Sequence, residues 1–447
     1  MIRIYDTLKS ESRDFSPVSS DNTVRMYTCG MTVQDTPHLG HLRALVTADI
    51  IKRTMALGGY RVFSVYNFTD IDDKLIEKMR GGEDYRILSQ RNIDEFMRFA
   101  AIMNALPFDV YPRATGHIQE IVEFIEKLIE KGYAYKSEGD VFFSVSKFDG
   151  YGKLSKKKTD ELIEGKRIEI NEKKENPLDF VLWKGAKDNE PYWHSPFGKG
   201  RPGWHIECSA MSMKYLGETF DIHTGGEDLI FPHHENEIAQ SECATGKLFA
   251  NFWIHNGMVN RNGEKMSKSV GNDSKVKGIL SRWSPDVVRL YLMKTHYRKV
   301  IEFSPERLDE AKSAYSRIAN ALDGETASSS AGKYYEKFKE ALFDDFNTPQ
   351  ALGVIFDAVN EINAEGCSEK KELRAEIGMM LFALGFKSEK KEAASNDKGL
   401  VELLIEVRED ARKARNFALS DLIRDRLKEM GIVLNDSKEG VKWKREG

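Results

Sequence analysis

The stretch VRMYTCGMTVQDTPHLGHLRALVTADIIKRTMALGGYRVFSVY, residues 24–66, decides the fold. It opens with a short β-prone run, Val24 to Cys29. Further on, Leu42, Leu45, Val46, Ile50 and Leu57 recur at helical spacing, and Gly58-Gly59 supplies a stop. The run from Val62 to Tyr66 then reads as a second strand. Such a β-α-β unit favours a parallel sheet with a right-handed crossover. Ligands of such sheets bind at the carboxyl ends of the strands. The string HLGH, residues 38–41, falls at that place, between strand and helix.

A helix start presents unpaired N–H groups and partial positive charge, which suits phosphate. His38 and His41 add hydrogen-bonding imidazoles there, and Gly40 lets a base approach the backbone with no Cβ in the way. A second string, KMSKS at 265–269, follows the turn residues Asn262-Gly263. Lysines on a loop that closes over a pyrophosphate would stabilise charge developing in a transition state; Lys265 and Lys268 are the candidates. Either string alone is also what an ordinary capped or solvated surface looks like.

A chain of 447 residues has room for roughly two to four domains. Its net charge of −4 gives no global basic field, so any RNA contact must come from local surfaces. No run approaches the about 20 apolar residues of a membrane span, and the start MIRIYDTLKS is no signal peptide. The chain reads as cytoplasmic, with neither membrane nor DNA as a partner. Four cysteines, Cys29, Cys208, Cys243 and Cys367, are too few for a disulfide scaffold, which leaves metal ligation or buried thiols.

The predicted architecture is α/β. A Rossmann-like catalytic domain has its first half at 1–109 and its second at 201–310, split by a charge-dense connective insertion at 110–200. Amphipathic helical segments lie at 315–386, and a further helical pattern opens the stretch 399–447. Segments rich in Ser, Gly, Lys and Asn at 323–332 and 387–399 read as linkers.

A third constellation is independent of the first two. In PHHENE, His233 and Glu237 are four apart, on one face of a helix. Imidazole, carboxylate and thiolate are all zinc ligands, and Cys29 and Cys208 are candidates to complete the set. By spacing alone, a satisfied buried histidine and small core cysteines explain the same residues.

The longer strings around these features are CGMTVQDTPHLGH at 29–41, NFTDIDDK at 67–74, GRPGWHIECSAM at 200–211, GGEDLIFPHHENE at 225–237 and KMSKSVGN at 265–272. As a set they resemble the cysteinyl-tRNA synthetase family, within class I aminoacyl-tRNA synthetases. DDFNTPQAL at 344–352 and the tail are similar to that family's anticodon-binding bundle and C-terminal extension, so the resemblance covers nearly the whole chain.

The resemblance implies an ATP-dependent ligase that activates L-cysteine to cysteinyl-adenylate, with Mg²⁺ on the ATP. The cysteinyl group then passes to the 3′ end of tRNA(Cys). It implies one Zn²⁺ per subunit on Cys29, Cys208, His233 and Glu237. It places ATP on His38, Gly40, His41, Asp228 and Lys268, with Lys265 beside them. Cys29, Thr69 and Trp204 would line the amino-acid pocket. His205, His223 and His234 would join His38 and His41 in a histidine cluster.

Met31 and Gln34 depart from the family's usual proline and tyrosine. An apolar pocket separates cysteine from serine poorly, and zinc would supply the selectivity without an editing domain. A cysteine ligase acting on an amino sugar, or a non-catalytic tRNA- or zinc-binding paralogue, would account for part of the pattern. Trp443 would either stack on a base or pack on the last helix.

Overall fold

The computed structural model describes residues 1–157, 172–261, 263–265, 275–328, 331–387, 395–414, 416–429, 431–437 and 440–445. Lys268 and the rest of the KMSKS loop lie outside the described residues, and of Lys265 only the backbone is described.

Four parallel strands form the central sheet, in the order Ala250–Asn256, Phe220–Gly226, Thr23–Thr28, Arg61–Tyr66. The two middle strands are aligned so that His223 pairs with Tyr27. From Thr23–Thr28 the chain crosses over through helix Leu39–Leu57 to Arg61–Tyr66. From Phe220–Gly226 it crosses the other way, through helix Glu235–Thr245, to Ala250–Asn256.

Side chains alternate between the two faces of each strand. Val24, Met26, Ile222, Phe252 and Ile254 join the core of helix Leu39–Leu57. Tyr27, Val65, Phe220 and Trp253 face the opposite way, onto Cys208, Met211 and Ile238 of helices Trp204–Leu216 and Glu235–Thr245. Right-handed crossovers leaving in opposite directions require helices on opposite faces.

The insertion builds its own layer. Helix Ile118–Glu130 is followed by a five-stranded antiparallel sheet drawn from Ala134–Ser137, Asp140–Phe143, Phe180–Gly185, Trp193–Ser195 and Gly198–Pro202. Its core includes Phe143, Leu182 and Trp183, and it is shared with Ile206 and Ala239 of the two helices on the sheet.

Helices Pro305–Ala321, Lys333–Phe343, Thr348–Asn363 and Lys370–Ala383 form the bundle. One continuous apolar core runs from Ile2 through the sheet to Phe386, so the bundle and the sheet make one compact unit, Met1–Lys387. The second unit, Ser388–Gly447, holds helices Ser395–Lys413 and Phe417–Glu429 and the hairpin Ile432–Ser437/Gly440–Arg445. Its small core is Val401, Ile405, Leu427 and Ile432, with Trp443 packed against it.

Two buried arginines tie the bundle to the sheet. Arg43, on helix Leu39–Leu57, donates to the carbonyls of Leu292, Thr295, His296, Tyr297 and Lys299. Burial pulls its pKa down to about 10, so it stays charged at neutral pH. Arg289 pairs with Asp49 of the same helix and donates to Leu384 O at 2.6 Å and Met103 O at 2.8 Å. A buried cation satisfied mainly by carbonyls fixes the strut from 292 to 299 without sequence-local contacts. Arg43→Met should destabilise the first unit by about 3 kcal/mol, because those carbonyls lose a charged donor. For a unit of this size that is a melting temperature lower by about 4 °C. Scanning calorimetry checks it, and an unchanged transition would show that water replaces the guanidinium at no cost.

Candidate active site

Thr23–Thr28 and Phe220–Gly226 are adjacent, parallel and continue in opposite directions. Their carboxyl ends therefore open a crevice between the outgoing chains, the usual ligand position in such sheets. A cleft of about 360 Å³ lies there, lined by Cys29, Gly30 and Met31 after one strand and by Gly226, Asp228 and Leu229 at the end of the other. His38, Gly40, His41 and Ala44 form one wall, Asn256, Gly257 and Met258 another, and Trp204 a third.

The HLGH histidines are the cap of their helix. His38 Nδ1 accepts from Gly40 N at 3.1 Å, and His41 Nδ1 accepts from His38 N at 3.2 Å, a reciprocal capping box. A nitrogen that accepts an N–H carries no proton. Both rings are therefore held with the proton on Nε2, stacked 3.8 Å apart. They present N–H donors on the side away from the backbone. A Cβ on residue 40 would lie 2.9 Å from the His38 ring, so Gly40 makes room for the cap.

Beneath the cleft lies a second group. The donor atoms of Cys29, Cys208, His233 and Glu237 all lie within 4.8 Å of one another, and all four residues are buried. Cys29 Sγ is 3.6 Å from Cys208 Sγ and 3.4 Å from Glu237 Oε1, and His233 Nε2 is 3.0 Å from that same oxygen. Ligand bonds of zinc length in a tetrahedron give edges of about 3.8, 3.5 and 3.3 Å, so the set fits to within about 0.3 Å.

Outer contacts orient the donors, as second-layer partners of metal ligands do. Glu237 Oε2 is held by His223 Nε2 at 2.9 Å, leaving Oε1 for the centre. His233 Nδ1 meets His205 Nδ1 at 2.8 Å, and Trp204 stacks on the His233 ring at 4.2 Å. His234 Nδ1 meets His255 Nε2 at 2.8 Å, while its buried Nε2 has no hydrogen-bond partner among the described residues and lies 3.9 Å from Glu237 Oε1.

The charges point the same way. Burial works against ionising Glu237, but His223 and His233 outweigh it and hold the carboxyl at about 2. Burial likewise opposes a charge on His233, yet Glu237 and Cys208 push it up to about 10. The Cys208 thiol is drawn down to about 6 against its burial, by the hydrogen bond from Cys29 and by His233. Cys29 is pushed up by burial and by its partner thiol, so the two sulfurs share a proton. Two buried anions with one imidazolium between them form a site a divalent cation would neutralise.

The family follows from comparison with known proteins. Residues 15–313 match the family model for the tRNA synthetases class I (C) catalytic domain, and residues 337–384 match the DALR domain. A cysteine–tRNA ligase of Geobacter sulfurreducens is 48% identical, with 99% of each chain covered. Those of a Sulfurihydrogenibium species and of Thermococcus gammatolerans are each 46% identical, again over 99% of each chain. The chain belongs to the cysteine–tRNA ligase family. A Mycobacterium tuberculosis methionyl-tRNA synthetase, solved with methionyl-adenylate, shares the fold at a TM-score of 0.56 and 17% identity, covering 81% of this chain and 89% of its own.

The residues expected from the family resemblance separate into layers. Trp204, Asp228, His38, Gly40, His41 and Cys29 face the cleft. Cys208, His233 and Glu237 lie beneath it, and so do His205, His223 and His234. Thr69 is 2% exposed and is not among the cleft-lining residues; its hydroxyl donates to Glu207 Oε2 at 2.9 Å. Met31 and Gln34 both line the cleft, so the two departures fall on its surface.

Glu207 and His255 were not singled out from the sequence. Glu207 is the neighbour of Cys208, and burial raises its pKa well above the carboxylate range, with Cys208 adding to the effect. A glutamate next to a candidate ligand was the only available signal for it.

Gly30 marks how tightly the cleft floor is built. A Cβ there would lie 1.6 Å from Asn67 O, whereas one at Gly116 meets nothing within 4 Å. Gly30→Ala should therefore destabilise the enzyme by about 3 kcal/mol, and Gly116→Ala by much less. Equal melting temperatures for the two variants would contradict this reading of the floor.

Proposed function

We propose that this chain performs cysteine–tRNA ligation in the cleft at the carboxyl ends of Thr23–Thr28 and Phe220–Gly226. The buried four-donor set would recognise the substrate thiol, and the HLGH cap would hold the phosphates. One observation carries this reading. Of the four donors only Cys29 also lines the cleft, so the metal position opens toward a bound amino acid on that side. Zinc is the ion that suits two thiolates, an imidazole and a carboxylate at these separations, and when bound it would take the cysteine sulfur as thiolate, for which a serine hydroxyl is a poor substitute.

The chain's own residues do the rest. A cysteine carboxylate oxygen attacks the α-phosphorus of ATP, the bond from that phosphorus to the bridging oxygen breaks, and pyrophosphate leaves with its Mg²⁺. The Nε2–H groups of His38 and His41 donate to phosphate oxygens as charge builds on them. Lys265 and Lys268 would act on the same charge from the KMSKS loop. Asp228, on the opposite wall, would accept from the ribose or the substrate ammonium. Trp204, stacked on His233, closes the amino-acid end beside Cys29. The terminal ribose hydroxyl of tRNA(Cys) then attacks the acyl carbon, loses its proton, and releases AMP.

A ligase that joins cysteine to an amino sugar would have no use for a tRNA-binding module. The DALR match at 337–384 and the full-length agreement with the family favour tRNA. Among the described residues no helix is long and apolar enough to cross a membrane. We place the enzyme in the cytoplasm, where translation runs and thiols stay reduced.

Cys208→Ser should lower bound zinc from about one ion per chain to a small fraction, measured by elemental analysis, and cut cysteine-dependent ATP–pyrophosphate exchange with it. Full retention of both would remove Cys208 from the ligand set. With serine in place of cysteine the unaltered enzyme should release no AMP above background. Rapid AMP release would mean that discrimination depends on editing rather than on the thiol.

A further inference from the structure

We propose that Lys74 is a phosphate-binding residue at the mouth of the cleft. It ends the string NFTDIDDK and lines the same cavity as His38, His41 and Trp204. It occupies the second position of helix Asp73–Arg80, with its side chain exposed. That placement runs against local electrostatics, because a helix N-terminus carries partial positive charge and disfavours a cation. Local rules are broken in this way mostly where function demands it.

The neighbouring acids do not compensate. Asp72 caps the helix by accepting from Leu75 N at 2.8 Å. Asp73 turns to the insertion, where it pairs with Lys184 at 2.6 Å and with Arg201. Among the described residues Lys74 makes no hydrogen bond and no ion pair. The other lysine lining the cleft, Lys275, lies 4.0 Å from Asp35.

The helix itself is held in place. Lys78, one turn on, donates to Gln34 O, which anchors the helix to the loop between Cys29 and HLGH. An ammonium with no partner among the described residues thus lines the same cavity as two imidazole N–H donors and a helix start. Such an arrangement is complementary to phosphate oxygens. These belong either to the triphosphate or to the last phosphodiester of the tRNA acceptor end. Both carry the same chemistry, and the two steps of the reaction separate them.

The inference rests on the assignment of this cleft as the adenylate site, so His41→Ala serves as the reference. The variants are Lys74→Met, which keeps an apolar stem, and Lys74→Arg, which restores the charge. Cysteine-dependent ATP–pyrophosphate exchange and single-turnover transfer from preformed adenylate to tRNA(Cys) are measured on the full chain. If Lys74 holds the triphosphate, Lys74→Met raises the KM for ATP or lowers the exchange rate roughly 10- to 100-fold, with the KM for cysteine unmoved. If it holds the acceptor end, exchange stays intact and transfer slows by a similar factor. In either case Lys74→Arg recovers most of the loss.

Wild-type values in both assays would overturn the proposal. So would a change confined to the KM for cysteine, or equal losses in Met and Arg variants with a lowered melting temperature. A His41→Ala enzyme that exchanges normally would instead remove the cleft assignment, which is a separate failure.

Discussion

Two parallel strands, Thr23–Thr28 and Phe220–Gly226, stand side by side while their chains leave in opposite directions. That constraint organises the molecule. It opens the crevice, puts helix Leu39–Leu57 on one face and helices Trp204–Leu216 and Glu235–Thr245 on the other, and brings residues about two hundred positions apart to one point. Cys29 arrives as the residue after the first strand. Cys208 comes from the helix packed beneath, and Glu237 from the helix that follows the second strand.

The donor set would be costly to bury with nothing to balance it, because charge in a low-dielectric interior must be paired. Protons shared with His233 and between the sulfurs are a partial answer, and a divalent ion is a fuller one. The stacked His38 and His41 solve a different problem. They satisfy the helix start with their Nδ1 atoms, and the same bonds set the tautomer that makes their outer nitrogens donors. Structural capping and the proposed phosphate chemistry would therefore share one arrangement. Arg43, one turn further along the helix, carries the link from this cap to the strut 292–299 and so to the bundle.

Much of this was legible in the sequence, for physical reasons that differ by element. The β-α-β unit at 24–66 shows because helical and strand periodicities alternate there over a span long enough to read. His233 and Glu237 show because four residues make one helical turn, although His233 lies in an irregular turn that ends just before helix Glu235–Thr245. The sheet of the insertion stayed hidden, since its strands run to six residues at most and mix charge with apolar side chains. The break expected at 323–332 separates helices of a single core, because long-range packing, not composition, decides where a core ends. Arg43 and Arg289 are invisible to periodicity, as their partners are carbonyls hundreds of positions away. Thr69 sits in the right string but turns to Glu207, a choice made only by tertiary contacts.

In the proposed reaction the donor set beneath the cleft meets the substrate's sulfur. Replacing the metal with Co²⁺ makes that contact visible, since thiolate ligation of cobalt produces charge-transfer absorption. Titration with L-cysteine should intensify that absorption, while L-serine should leave the spectrum as it is. A cobalt enzyme that forms cysteinyl-adenylate while its spectrum ignores cysteine would contradict the account.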